Sequence, residues 1–170
     1  MKQLLSILLT TLVFSVIACH SGSDTSAGQN NENAGQANLL AANAINRAIE
    51  SGDVSNLGDY ISVDAIDHSG EHGDVKGLDS IKAGLAPIHK MAANDLKLVV
   101  IKELADSEYV FQWLRATGTA ATAEMGAPVG SKFELPIVNV TRFKDKKVTE
   151  HWEFMQPGDV MKMMASPKGQ

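Results

Sequence analysis

The sequence predicts an α+β domain in which a curved antiparallel or mixed sheet wraps on N-terminal helices. Two observations support this prediction. Apolar residues recur at helical spacing early in the domain, and strand-like runs follow one another in its second half. Four of these runs are 9 to 12 residues long. Because long strands twist and coil, we expect a cone-shaped sheet with a pocket inside.

The first 18 residues have the character of an export signal. Lys2 supplies a positive charge and residues 4–17 are apolar, a stretch shorter than the roughly 20 residues that span a bilayer. The stretch ends in Val-Ile-Ala followed by Cys19, which resembles the lipobox of bacterial lipoproteins. The resemblance implies cleavage before Cys19 and acyl chains, palmitate among them, on the only cysteine of the sequence.

Acyl chains on Cys19 would hold the protein on a membrane of the bacterial cell envelope. The residue after Cys19 is His20 and not Asp, so the common inner-membrane retention signal is absent. In a host with two membranes we therefore expect the periplasmic side of the outer membrane. An ordinary signal peptide with a cysteine nearby by chance is the alternative.

Residues 19–36 follow as the lipidated cysteine and a linker rich in Ser, Gly, Asn and Gln, a composition that predicts disorder. The folded domain is expected at residues 37–165, with a tail at 166–170. Its first helix is predicted at residues 37–50, where four apolar residues share one face: Leu39, Ala42, Ile45 and Ile49.

Shorter elements are predicted next, in the order of the chain. Residues 54–60 could form a second helix, residues 62–68 a strand, and residues 69–77 a Gly-rich loop. A third helix begins at Gly77, and we expect it to kink or to end near Pro87 because proline breaks the helical hydrogen-bond pattern.

The strand-like runs then occupy residues 96–104, 108–119, 132–143 and 148–156. A tight polar turn at residues 144–147 joins the last two runs into a hairpin, and a longer connection spans residues 118–130. Residues 160–164 are predicted to add a last helical turn.

The last hairpin resembles that of the nuclear-transport-factor-two-like superfamily, and more narrowly the SnoaL-like branch of polyketide cyclases. Glu150-His151-Trp152-Glu153 keeps the branch's Glu-His-Trp pattern, with Glu in place of Asp. Asp67-His68, followed by Ser69-Gly70 and Gly77, resembles the branch's His-Asn-Pro strand end. The resemblance covers residues 37–156 and implies the cone-shaped fold. It leaves the activity open, because one fold hosts many functions.

Alternation along the last strand puts His151, Glu153 and Met155 on one face. The opposite face would carry Val148, Glu150, Trp152 and Phe154. In limonene epoxide hydrolase, a more distant relative, a catalytic aspartate resembles Glu153 in position, which favours the first face as the interior. The alternative is that Trp152 and Phe154 form the core. By the same matching the cavity would also be lined by Ile66, His68, Gln112, Leu114, Leu135, Ile137 and Asn139.

Three functions are compatible with these residues. The first is a membrane-tethered domain that binds a small apolar molecule. The second is a cofactor-free isomerase or cyclase in which Glu153 moves a proton next to a carbonyl, and a donor such as His151, His68, Asn139 or Gln112 holds the enolate oxygen. The third is an envelope assembly module without a ligand. The sequence leaves turnover open.

Other classes of partner are less compatible with the composition. The chain carries a net charge of −5 and has no basic cluster, which argues against nucleic acid. His68 and His72 straddle a Gly-rich loop without a cysteine partner, so we expect no metal, and we expect no cofactor. Phe111, Trp113 and Arg115 would lie on the outer face of the sheet and predict a homodimer, with ordinary outer-face packing as the alternative.

Overall fold

A computed structural model describes residues 24–70, 72–123 and 127–165, and side chains between residues 31 and 161. The export signal, Cys19 and the tail at 166–170 lie outside these residues. The helices are α1 (Asp24–Ser51), α2 (Leu78–Leu85), α3 (Ile88–Met91) and α4 (Pro157–Ala165), with a 3-10 helix at Ser55–Asp59. The strands are β1 (Ile61–Asp67), β2 (Val75–Lys76), β3 (Lys97–Ala105), β4 (Tyr109–Thr119), β5 (Lys132–Lys144) and β6 (Lys147–Met155).

The six strands form one mixed sheet in the order β2-β1-β6-β5-β4-β3. Strand β1 runs parallel to β6, and the other neighbouring pairs are antiparallel. The predicted α+β class is therefore confirmed. The parallel contact places Asp67, the last residue of β1, directly beside His151 of β6.

The predicted hairpin between β5 and β6 is present, and its turn has two residues. Asp145 and Lys146 adopt positive φ angles of 51° and 63°. Left-handed conformations at both central positions match the right-handed twist of the two strands. The polar turn therefore fixes which residues of β5 and β6 lie side by side.

Pro87 interrupts the predicted third helix, as expected. Helix α2 ends at Leu85 and α3 begins at Ile88, with Pro87 at the cap position between them. Proline has no N–H to continue the helical bonds, but it is well tolerated where a helix starts. The break lets α2 pack on β1 and β2 while α3 packs on α1.

Helix α1 packs against β3 and β4 and covers one face of the sheet. Its apolar stripe contributes to two core clusters. Ala42 is buried in the cluster around Leu57 and Phe143, whereas Ile49 packs against the cluster around Leu114. A cavity lies under the helix, and its walls include residues of both clusters.

The disordered linker predicted at residues 20–36 is wrong for residues 24–36, which belong to α1. The helix reaches the sheet at Gly35, where a Cβ atom would lie only 3.2 Å from the carbonyl oxygen of Ala105. Starting a helix is costly, but extending an existing one costs little per residue. Composition alone therefore did not reveal that a packed segment downstream would extend the helix through polar residues.

Strand β6 contains a register irregularity near its start. Arg142 pairs with Glu150, whereas the next residue, Phe143, pairs with Val148. Thr149 therefore has no paired residue on β5. This bulge turns Val148 into the core, where it is 4% exposed. The prediction that Val148 shares a face with Glu150 and Trp152 is wrong, because strict alternation fails at a bulge.

Candidate active-site cavity

The space between α1 and the sheet is divided into two adjoining chambers. The larger has a volume of about 260 Å³ and a mainly apolar wall. The smaller has a volume of about 70 Å³ and includes the polar side chains of Asp67, Gln112, Thr141 and His151. Both chambers are bounded by Asn46 of α1 and by Asn139 of β5. Apolar walls with a few polar groups are typical of small-molecule sites.

The structure places most of the predicted lining residues on these walls. Ile66 and Gln112 border the smaller chamber, and Asn139 borders both. The wall of the larger chamber includes Leu114, Leu135, Ile137 and Met155. Their role in binding a ligand remains a prediction.

Glu153 lies on the wall of the larger chamber, on the face of β6 that alternation favoured. Its backbone N–H donates to Ser69 Oγ at 2.7 Å, which fixes this part of the strand. Burial raises the pKa of the Glu153 carboxyl above its usual value, with the charge of His151 opposing the rise and that of Asp67 adding to it. No described residue donates a hydrogen bond to this carboxyl. The neutral form of this carboxyl is therefore favoured more than in a glutamate in water.

His151 faces the smaller chamber and is paired with Asp67. Its Nδ1 lies 3.0 Å from Asp67 Oδ1, and Ser69 N–H donates to the same oxygen at 2.9 Å. Burial, the largest single influence, raises the pKa of Asp67, but the bonds from His151 and Ser69 outweigh it, so the net pKa is lowered. An ionised Asp67 accepts a hydrogen bond from the Nδ1–H of His151 and leaves Nε2 of His151 for a ligand.

Gln112 is buried and has little capacity left for a ligand. Its Nε2 donates to Asn43 Oδ1 and to Glu103 Oε2, both at 3.0 Å. Its Oε1 accepts from Asn46 Nδ2 at 3.0 Å. Both N–H groups are thus engaged inside the protein, which argues against the predicted role of Gln112 as an enolate donor.

Asn139 is the opposite case, because its side chain makes no hydrogen bond with the described residues. Its Oδ1 is buried without a partner, and Asn139 is the direct cross-strand neighbour of Glu153. Buried polar atoms are nearly always paired, so each unpaired one calls for an explanation. A ligand that contacts this carboxamide would supply one.

The prediction that His68 lines the cavity is wrong. His68 stacks on the ring of Trp152 at 4.7 Å, on the opposite face of the sheet from Glu153. Its Nδ1 lies 2.9 Å from Asp74 and its Nε2 lies 3.4 Å from Glu150. The hydrogen bond to Asp74 raises the pKa of His68, and burial partly opposes this effect. His68 therefore links the loop that contains Asp74 to Glu150 of β6.

The error at His68 has a physical cause. Ala65 is 1% exposed and, with Ile66 and Asp67, lines the smaller chamber. His68 lies past the end of β1, and its side chain is on the other side of the sheet. A shift of one residue exchanges the two faces of a strand. Asp67 was consequently missed as the partner of His151. The small, buried Ala65 was the available signal, but a short strand with apolar residues on both faces gave no clear choice.

Metal-binding clusters and membrane-spanning helices are both absent from the part of the chain that the structure describes. Among the described residues, no three His, Cys, Asp or Glu side chains lie close enough together to hold a metal ion. Within the same part of the chain, no helix has the length and apolar character needed to cross a bilayer.

Comparison with known proteins identifies relatives of the domain. A family model described as SnoaL-like polyketide cyclase matches residues 39–165. A comparison with curated proteins finds no match. Among solved structures, a candidate SnoaL-like polyketide cyclase from Jannaschia sp. CCS1 superposes with a TM-score of 0.66 at 18% identity, over 78% of this chain and 94% of that chain.

Two other solved structures have the same fold. IdmH, a candidate polyketide cyclase from Streptomyces antibioticus, has a TM-score of 0.62 at 22% identity, over 75% of this chain and 97% of that chain. AclR, a candidate hydroxylase from Streptomyces galilaeus, has a TM-score of 0.61 at 25% identity, over 76% of this chain and 97% of that chain. The names of these proteins indicate different activities although they share one fold. The activity of this chain therefore has to be argued from its cavity.

Proposed function

Since this chain belongs to the SnoaL-like polyketide cyclase family, we propose that its cavity binds a small, mainly apolar carbonyl compound and that Glu153 transfers a proton on it. One observation carries this proposal. Glu153 is a half-buried carboxyl without a hydrogen-bond donor among the described residues, on the wall of an apolar chamber. A carboxyl kept only for stability would be paired, whereas an unpaired one with a raised pKa is typical of acid–base catalysis.

The proposed reaction is an isomerisation or an aldol-type cyclisation without a cofactor. The Glu153 carboxylate takes a proton from the carbon next to the carbonyl, and the electron pair of that C–H bond moves into an enolate. A donor must then stabilise the enolate oxygen. Of the four donors considered from the sequence, His68 faces outward and Gln112 is fully engaged, which leaves His151 and Asn139.

The roles of the two remaining donors follow from their surroundings. Asn139 lies beside Glu153 across the strand pair, and in this proposal its Nδ2 donates to the enolate oxygen. His151 is held by Asp67 in the smaller chamber, where it can return a proton at a second position of the substrate. Two carboxyl groups with pKa values shifted in opposite directions thus take different roles, Glu153 as base and Asp67 as the partner of His151.

The substitution Glu153→Gln tests this proposal. With 2-tetralone as the probe in D₂O, the wild-type protein is expected to accelerate exchange of the protons next to the carbonyl, measured by NMR. Glu153→Gln removes the base and should lower the rate by about 10²–10⁴-fold, the usual contribution of a general acid–base group. Probe affinity should stay nearly unchanged, because size and polarity are conserved.

Glu150→Gln is the matched control, since Glu150 lies on the same strand but on the outer face, where it pairs with Arg142. It should leave the exchange rate unchanged. An unaltered rate in Glu153→Gln would rule out the role of Glu153. If the wild type binds 2-tetralone but does not accelerate proton exchange, the second candidate function is favoured, namely a binder without turnover. The apolar wall of the larger chamber supports this function by itself.

We further propose that the domain is tethered to an envelope membrane through lipid on Cys19. The support is the lipobox-like sequence and the absence of any other cysteine. Mass spectrometry of the protein purified from membranes should show an N-terminal Cys19 carrying acyl mass, and Cys19→Ser should be unlipidated and remain uncleaved. A mature wild-type protein without acyl mass on Cys19 would contradict the tether.

A further inference from the structure

Four polar side chains between α1 and the sheet form a network that the proposed proton transfer does not use. Asn46 Nδ2 donates to Gln112 Oε1 at 3.0 Å, and Gln112 Nε2 donates to Asn43 Oδ1 and to Glu103 Oε2, both at 3.0 Å. Asn43 Nδ2 also donates to Glu103 Oε2 at 3.2 Å. Such networks are tolerated in a core only when their members are satisfied, and they then hold their side chains in one orientation.

The side-chain oxygen of Asn46 makes no hydrogen bond within this network. Asn46 is 8% exposed and lines both chambers. Because its Nδ2 is engaged by Gln112, the orientation of the amide is fixed and Oδ1 points away from Gln112. No described residue donates a hydrogen bond to Asn46 Oδ1. The boundary between the chambers therefore presents a carboxamide oxygen that has no donor among the described residues.

We propose that Asn46 is a specificity-determining residue that accepts a hydrogen bond from a hydroxyl group of the ligand, and that Gln112 is the positioning residue that orients it. This inference rests on the proposed function, since the ligand in question is the one that the cavity binds. Asn46 lies on α1 and Asn139 on β5, so the two carboxamides approach a ligand from opposite walls. The preferred ligands are then apolar compounds that carry a hydroxyl group, and not hydrocarbons or ethers of the same shape.

Three probes of one size separate these classes: 2-naphthol, 2-methoxynaphthalene and 2-methylnaphthalene. Only the first donates a hydrogen bond, whereas the second accepts one and the third does neither. With the full chain, titration calorimetry is expected to show that 2-naphthol binds about tenfold more tightly than the other two, the effect of one well-placed hydrogen bond.

Substitutions assign the effect to one residue. Asn46→Leu keeps the size but removes the acceptor, and should bring 2-naphthol to the affinity of 2-methylnaphthalene, whose own affinity should not change. Asn38→Leu is the matched control, because Asn38 is a buried amide on the same helix that lines neither chamber and donates to the backbone oxygen of Asp106, outside the network. It should preserve the tenfold preference. If Asn46→Leu does not fold, the double variant Asn46→Leu/Gln112→Leu replaces both partners by apolar groups and should also abolish the preference.

The outcomes distinguish this inference from the function on which it rests. If all three probes bind the wild type equally, or if the preference for 2-naphthol survives loss of the Asn46 amide, Asn46 does not accept a hydrogen bond from a ligand hydroxyl group. The proposal that the cavity binds apolar ligands is not affected by this result. If 2-methylnaphthalene does not bind any variant, the cavity does not take apolar ligands and both proposals fail. A preference that is lost in Asn46→Leu and kept in Asn38→Leu supports the assignment.

Discussion

At the residue scale, Glu153 and Asp67 show how the environment gives two carboxyl groups opposite properties. Both line the cavity, and burial acts to raise the pKa of each, but the net pKa is raised only for Glu153 and is lowered for Asp67. Asp67 receives hydrogen bonds from His151 and Ser69, whereas the Glu153 carboxyl receives none from the described residues. Charge is therefore favoured on Asp67 and disfavoured on Glu153, which is the division of labour that an acid–base site requires.

The raised pKa of Glu153 predicts how stability depends on pH. A native pKa above the unfolded value means that the folded state binds the proton more tightly, so the wild type loses stability as the pH rises through the native pKa. Gln does not titrate. The midpoint of thermal unfolding of Glu153→Gln should therefore exceed that of the wild type by a margin that is wider at pH 8 than at pH 5.

Glu150→Gln provides a control of opposite sign. Arg142 lowers the pKa of Glu150, so the wild-type carboxylate stabilises the fold above its unfolded pKa, and this contribution is lost as the pH falls. This variant should be slightly less stable than the wild type near pH 7, with a difference that closes in acid. A constant difference between Glu153→Gln and the wild type across this range would show that Glu153 has no raised pKa.

At the element scale, patterns that extend over many residues were predictable and single irregularities were not. The four long strands and the break at Pro87 follow from composition and spacing. Alternation also gave the correct inner faces of β4 and β5, because Leu114 and Leu135 are both buried. Each of these segments repeats its pattern often enough to identify a face.

The failures involve one residue of register or a contact far away in sequence. The bulge at Thr149 and the inward face of β1 each exchange the direction of a side chain, and no repeated pattern marks either. Helix α1 extends through polar residues because the segment after Gly35 packs on Ala105, some 70 residues later. Asp67 and Asn46 were missed for the same reason, since their importance comes from His151 and Gln112 on distant strands.

At the scale of the whole molecule, the sheet has one covered and one uncovered face. Helix α1 covers the inner face, while large apolar side chains remain exposed on the outer face of the neighbouring strands β4, β5 and β6. Phe111 is 46% exposed, Trp113 49% and Phe154 55%. Trp113 pairs with Val138, which pairs with Phe154, so these side chains form one continuous row across the sheet. Extended apolar patches of this kind usually mark an interface.

We propose that a second copy of the chain covers this outer face, as the aromatic residues and Arg115 indicated from the sequence. The interface would lie on the side of the sheet away from the cavity, so both cavities of a dimer would stay accessible. Sedimentation of the chain from residue 20 onward should show a dimer at micromolar concentration. Trp113→Glu places a charge at the centre of the row and should give a monomer that retains affinity for 2-methylnaphthalene, because the cavity is on the other face.

Leu40→Glu is the matched control: Leu40 is 61% exposed on α1, on the covered side of the sheet, and the same charge there should leave the dimer intact. A wild type that sediments as a monomer, or a dimer that survives Trp113→Glu, would show that the outer face is not the dimer interface.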